Sequence, residues 1–282
     1  MRNFIQYLKI LRVWEVAGKI GFVLIGALFA IQKMDFPTIL ILLKIAGYSF
    51  INGLAIFIYN AWSGYDTDHE NERLYFLRDF SKEKLLWLML FLFAVSLAII
   101  FVHNQNIIFT ALSVIILWTV YSLPKYGLKG FPFGGIFVSF ITEILLFHLS
   151  YLFFADYSLR SVLISIYFAL LVAAGHSLHE LIDHDADKRS DFQTTAVVLN
   201  KKFKSILVPF FYVLSLLWLI GLRYEGYISF ATFLSFSIVN FSVLVFGFNQ
   251  LSEGKYHEFR RVYLSLFALA TLVCVCLNNF PL

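Results

Sequence analysis

Residues 176–195 read HSLHELIDHDADKRSDFQTT. A long apolar run, 158–181, comes to its end here and breaks into a tight acidic cluster. His176, His179, Glu180, Asp183 and Asp187 recur at i, i+3, i+4, i+7 and i+11, which places them on one face of a helix. A second stretch, residues 60–73 (NAWSGYDTDHENER), is its counterpart: another apolar run, 37–60, that ends in carboxylates. The fold follows from asking what kind of chain carries two such endings.

Of the 282 residues, 60% are hydrophobic and only 14% charged, and the mean hydropathy is +0.79. Soluble domains carry roughly 25% charged residues, so the solvent of this chain is a bilayer. Nine apolar runs are long enough to cross about 30 Å of hydrocarbon as helices: 16–32, 37–60, 84–103, 106–122, 133–154, 158–181, 204–222, 226–249 and 259–280. The expected fold is therefore an all-α integral membrane protein, nine transmembrane helices in a single bundle around a central cavity, with residues 1–282 forming one polytopic domain. No cleavable signal pattern opens the chain. Cys274 and Cys276, two apart, point away from each other on a helix and are not expected to pair.

Threading the chain through nine crossings sorts Lys and Arg unequally, 18 on the side of the N-terminus and 3 on the other. The positive-inside rule then makes the N-terminus cytoplasmic. Both acidic stretches fall on that same face of the cell's inner or plasma membrane. The formal charge of +4 is mild and spread over loops, with no patch that suggests a nucleic-acid partner.

Carboxylates one helical turn apart suit Mg²⁺, which prefers oxygen ligands, keeps several waters and bridges to substrate phosphates. Asp183 and Asp187 have that spacing, and Asn60, Asp68 and Glu72 share a stripe if the second helix continues, with Asp66 pointing elsewhere. A zinc reading of His176 and His179 is weaker, since both lie a turn or more above the carboxylates and no cysteine helps. Between the acidic stretches, residues 121–130 (YSLPKYGLKG) offer Lys125 and Lys129 on a backbone bent by Pro and Gly, and Lys188 and Arg189 follow the second aspartate. Each piece alone also reads as an ordinary solvated helix end or a positive-inside loop. Together they read as a grip for a diphosphate, with metal ions held by carboxylates and lysines completing the cage. A diphosphate at the mouth of an apolar bundle implies a lipid tail inside it, and 33 Phe, 15 Tyr and 5 Trp can supply π faces for an allylic cation.

At these residues the chain resembles the UbiA superfamily of intramembrane prenyltransferases, over nearly its whole length. The family has an acidic motif after helix two and another after helix six. Its second motif, Asp-x-x-x-Asp with a basic residue, a short loop and a threonine, is matched by Asp183, Asp187, Lys188, Thr194 and Thr195, with Asp191 where the family commonly has glycine. Tyr121, Ser122, Pro124, Lys129 and Gly130 match its loop after helix four, and Arg12 followed by Lys19 matches its opening basic residues. The first motif, Asn-Asp-x-x-Asp-x-x-x-Asp, is kept only at Asn60 and Asp68; Ala61 and Gly64 stand where it has aspartates, and Asn71 and Arg73 fit its downstream pattern.

The resemblance implies a Mg²⁺-dependent prenyltransferase, an enzyme that transfers a prenyl group from a prenyl diphosphate to a lipophilic, aromatic acceptor among membrane lipids. It implies Asn60, Asp66, Asp68, Asp183 and Asp187 as Mg²⁺ ligands, with Asp66 able to replace a missing aspartate if helix two unwinds near Gly64. Arg12, Arg73, Lys129 and Lys188 are the expected diphosphate contacts, and Tyr121 the expected wall of the reacting carbon's pocket. Two rivals stand beside this reading. One is a terpene cyclase of the same superfamily, in which the tail's own double bond attacks the cation. The other is a catalytically decayed membrane binding protein or transporter, with Lys44, Asn52 and His176 lining a path.

Overall fold

With no water in hydrocarbon to satisfy backbone N–H and C=O groups, a helix that bonds within itself is the favoured way for an apolar run to cross. The structure, a computed structural model, describes residues 13–65, 80–101, 104–124, 126–189, 191–199 and 201–279, and among them it is all-helical, with no strand. The long helices are α1 (Val13–Ala30), α2 (Phe36–Ser63), α3 (Lys82–Ile100), α4 (Gln105–Tyr121), α5 (Gly134–Tyr151), α6 (Leu159–Arg189), α7 (Lys201–Tyr224), α8 (Phe230–Ser252) and α9 (Tyr256–Asn279). Two single turns, a 3₁₀ turn Leu128–Gly130 and an α turn Thr195–Val198, sit in connections. Six helices of the described residues are long and apolar enough to cross a membrane, α2, α3, α5, α6, the Ile206–Tyr224 part of α7, and α8. Large apolar side chains such as Phe91, Phe109, Phe241 and Phe246 face outward, as a lipid solvent requires.

Local sequence sets the helix ends. Asp35 caps α2, its carboxylate accepting from the Thr38 N–H at 3.0 Å and from the Thr38 hydroxyl at 2.8 Å, and Pro37 suits the first turn. Ser81, Asn104 and Ser229 cap α3, α4 and α8 in the same way. The expected sixth run ended at 181, but α6 continues to Arg189. The apolar stretch ends before the helix does, because the polar residues beyond it are compatible with further turns of helix.

The chain divides into two compact units, one of residues Met1–Gly130 and Leu145–Asp156, the other of Phe131–Ile144 and Tyr157–Leu282. In the first, Val23 and Ala27 of α1, Ile45 and Tyr48 of α2, Ile100 of α3 and Ile107 and Ala111 of α4 form the core with Leu149 and Leu152. A smaller cluster joins Ile58, Tyr59 and Ala61 of α2 to Leu85 and Met89 of α3. α1 meets α5 closely: the Ala27 N–H donates to the Ser150 hydroxyl at 3.0 Å, a small-residue contact of the kind that lets helices pack in lipid. In the second unit, Tyr167, Phe168 and Phe236 stack edge to face at 5.0–5.5 Å. Asn240, fully buried, donates to the Tyr167 hydroxyl at 3.0 Å, and the Trp218 indole N–H donates to the Leu163 carbonyl at 2.8 Å.

Candidate active site

In the second unit, the last three turns of α6 carry the acidic cluster. α6 ends in a Schellman turn: the Phe192 N–H donates to the Asp187 carbonyl at 3.0 Å, and Asp191 takes the left-handed conformation with φ +56°. That reversal brings residues 194–196 back along the helix. The Thr194 hydroxyl donates to Asp187 Oδ2 at 3.3 Å. The Ala196 N–H donates to Glu180 Oε2 at 3.1 Å, a buried bond to the first turn of the short helix. The Thr195 hydroxyl accepts from the Phe133 N–H at 2.8 Å, where Phe133 itself is held at φ +60° just before α5.

Behind this clamp, the Ser139 hydroxyl of α5 lies 2.8 Å from His176 Nδ1, and His176 Nε2 lies 3.6 Å from Glu180 Oε1. Both ring nitrogens of His176 are thereby engaged. Gly135 is required opposite it, since a Cβ there would collide with the imidazole. Asp183 and Asp187 are half-buried, and Lys188 and Arg189 are exposed on the final turn.

In the first unit, α1, α2 and α4 enclose a cavity lined by Asn52, Ile56, Phe57 and Asn60 of α2, Trp118 and Tyr121 of α4, and Val16 of α1. Trp118 and Tyr121 meet edge to face at 5.2 Å. The side-chain carbonyl oxygens of Asn52 and Asn60 are buried and have no hydrogen-bond partner among the described residues. α2 ends right after Ser63, and Gly64 (φ −89°, ψ 6°) closes it with its N–H on the Asn60 carbonyl at 3.1 Å. The loop after α4 folds tightly about Gly127, whose N–H donates to the Leu123 carbonyl at 2.9 Å. A Cβ there would lie 2.6 Å from the Tyr121 and Leu123 carbonyl oxygens.

A family model described as the UbiA prenyltransferase family matches residues 20–270. The chain belongs to this family. Its UbiA fold is shared with solved structures. A UbiA homologue from Archaeoglobus fulgidus bound to DMAPP and Mg²⁺ has a TM-score of 0.70 and 15% identity, covering 95% of this chain and 98% of that one. The homologue bound to GPP and Mg²⁺ has a TM-score of 0.70 and 17% identity, covering 95% and 99%. An apo UbiA homologue from Aeropyrum pernix K1 has a TM-score of 0.73 and 16% identity, covering 94% and 98%. No curated protein matches the chain.

Among the site residues expected of this UbiA-family chain, Asn60 and Tyr121 come together on one cavity. Asp183 and Asp187 share one helix end, with Lys188 beside them, and Lys129 lies in the 3₁₀ turn after α4. Arg12, Asp66, Asp68 and Arg73 lie outside the described residues. The helix does stop at Gly64, the condition under which Asp66 could take a missing aspartate's place. Ala61, at one of the two aspartate positions, is buried in the cluster with Leu85 and Met89 and does not line the cavity. Glu180 carries no role in the sequence reading beyond its place on the acidic face. Its partner Ala196 lies across the helix reversal, and no spacing rule links the two.

Proposed function

We propose that the chain is a Mg²⁺-dependent intramembrane prenyltransferase that ionises a prenyl diphosphate and passes the prenyl group to a lipophilic acceptor. The observation that carries this reading is the carboxylate pair Asp183 and Asp187 at the end of a membrane-length helix, with Asp187 fixed by Thr194, in a chain of the UbiA prenyltransferase family. Homologues of the same fold bound to DMAPP or GPP together with Mg²⁺ support it.

The residues present suit the metal. Asn60 offers a buried carbonyl oxygen without a partner among the described residues, and Asp183 and Asp187 add carboxylates, so the donors are all hard oxygens. Among the described residues no group of three His, Cys, Asp or Glu side chains forms a metal cage. One or two carboxylates shared with substrate phosphates and water is the arrangement Mg²⁺ prefers. Asn60, Asp183 and Asp187 would hold it, with Asp66 and Asp68. When bound, Mg²⁺ neutralises charge on the diphosphate oxygens. Lys129, Lys188, Arg73 and Arg12 bind the remaining phosphate charge. The allylic C–O bond breaks with its electron pair leaving on pyrophosphate. Tyr121, Trp118 and Phe57 offer π faces to the carbon that becomes electron-poor. The acceptor then forms the new bond and loses a proton.

In this reading residues 1–282 act as a single domain. In this reading the N-terminus and both stretches are cytoplasmic and nine helices cross the membrane. The test is pyrophosphate release from GPP by the purified full chain. Asp183→Ala and Asp187→Ala are each expected to lower it by about 100-fold or more, and chelation should abolish it until Mg²⁺ is restored. Unchanged release by both variants would reject the proposal.

A further inference from the structure

We propose that Arg160 and Arg223 form a binding site for the phosphate of an anionic membrane phospholipid, at the end of α6 opposite the Asp183–Asp187 pair. Arg160 stands in the first turn of α6 and Asp183 near its other end, about 35 Å away along the helix. That spacing exceeds the roughly 30 Å of a bilayer's hydrocarbon core. Two bonds tie α7 and its following turn to this end of α6. The Trp218 indole N–H donates to the Leu163 carbonyl, and Arg160 Nε donates to the Tyr227 carbonyl at 2.9 Å. Tyr227 is folded back on α7: its N–H donates to the Leu222 carbonyl at 2.9 Å, in a turn closed by Gly226 at φ +74°. Arg223, in the last turn of α7, holds its guanidinium carbon 6.0 Å from the centre of the Phe230 ring. The two cations are thus anchored to residues three apart in the chain, whose α carbons lie at most about 10 Å from each other.

Both arginines are exposed, and among the described residues neither forms an ion pair with a carboxylate. Like charges gathered at one turn repel, and an anion between them relieves the repulsion. Positive charge is also scarce at this end. The nine-crossing threading leaves it three basic residues against 18, and the third, Lys33, has Asp35 at 4.0 Å. An arginine that only snorkels to water needs no fixed partner, whereas these two are each held in place. Arg160 spends its Nε on Tyr227, which leaves both terminal amino groups for the oxygens of a phosphate. Leu159, Val162, Tyr224 and Phe230 beside them are exposed. An anion seated here therefore has apolar surface next to it, which the acyl chains of a phospholipid cover and a free phosphate does not.

The test is a thermal-shift titration of the full chain in detergent at about 150 mM salt, which screens diffuse surface attraction. Dioleoylphosphatidylglycerol, dioleoylphosphatidylcholine and inorganic phosphate serve as separate ligands. Phosphatidylglycerol is expected to raise the wild-type melting temperature saturably and more than phosphatidylcholine does, while inorganic phosphate leaves it unchanged. The double variant Arg160→Gln, Arg223→Gln should bind phosphatidylglycerol about tenfold more weakly or worse, the effect of losing charge-assisted hydrogen bonds. The double variant Lys84→Gln, Arg261→Gln removes the same charge from exposed positions elsewhere and should bind like the wild type. Arg223→Gln alone removes no hydrogen bond among the described residues, and its expected weakening of about threefold covers the case in which the first double variant fails to fold. Equal wild-type affinity for the two lipids, equal weakening in the two double variants, or unchanged affinity in Arg223→Gln and in the Arg160, Arg223 double variant would overturn the proposal. Stabilisation by inorganic phosphate equal to that by phosphatidylglycerol would overturn its assignment to a lipid.

Discussion

Asp191 occupies a left-handed backbone conformation, φ +56°, that L-residues other than Asn and Asp rarely adopt. The Schellman turn needs that conformation to carry Thr194 back to Asp187. Glycine would adopt it without strain, so Asp191→Gly is expected to raise stability by up to about 1 kcal/mol and Asp191→Val to lower it, read from thermal melts in detergent. The sequence marks position 191 as one where the family uses glycine, and the backbone supplies the cause. Ala61 runs the other way. From sequence it is a missing metal ligand; in the fold it packs against Leu85 and Met89. Ala61→Asp would bury a carboxylate among apolar side chains, and we expect a loss of several kcal/mol with no gain in Mg²⁺-dependent turnover. A variant that folds normally and turns over faster would return position 61 to the site.

At the scale of elements, α6 outlasts its apolar run by about two turns, and those turns hold the carboxylates. Hydropathy reads where a span leaves the bilayer core and is blind to where the helix ends. The clamp between Glu180 and the Ala196 N–H was also illegible, because it joins residues brought close by a chain reversal that no spacing rule encodes. Removing it leaves a buried N–H unpaired, at about 1–3 kcal/mol. Glu180→Leu should therefore loosen the Thr194–Asp187 contact, lowering the melting temperature and raising the Mg²⁺ concentration needed for half-maximal turnover. Glu180→Gln keeps an acceptor oxygen and should recover most of both. A leucine variant that melts and binds Mg²⁺ like the wild type would deny Glu180 any positioning role. At the start of α2, the Thr38 backbone N–H and hydroxyl lower the pKa of the Asp35 carboxyl below its ordinary value of 3.8. Its contribution is fully present above that value and fades as pH falls through the lowered one. Asp35→Asn should flatten this part of the acid dependence in melts recorded from neutral pH to pH 3, whereas an unchanged profile would remove Asp35 as its source.

For the whole molecule, the all-helical architecture was legible because a bilayer permits few alternatives, and the nine apolar runs correspond to α1–α9 among the described residues. The number of crossings is a separate matter. Among the described residues, six of these helices meet the length and composition for a span, while Ile20–Ala30 and Gln105–Tyr121 are shorter apolar helices. The two counts make opposite demands on function. With nine crossings, the ends of α2 and α6 emerge on one face, as a reaction using both acidic stretches requires. With only α2, α3, α5, α6, α7 and α8 crossing, the same two ends emerge on opposite faces and the shared diphosphate reading fails. The 18 to 3 distribution of Lys and Arg favours nine. Exposed positions that distinguish the counts are Glu83, Glu225 and Glu253. Single cysteines there, in a chain with Cys274 and Cys276 replaced by serine, should react with a membrane-impermeant maleimide in intact cells at position 225 alone, and at 83 and 253 only after lysis. Labelling of 83 and 225 together from one side, with 253 on the other, would establish the six-helix threading, and the two acidic stretches would then have to serve separate purposes.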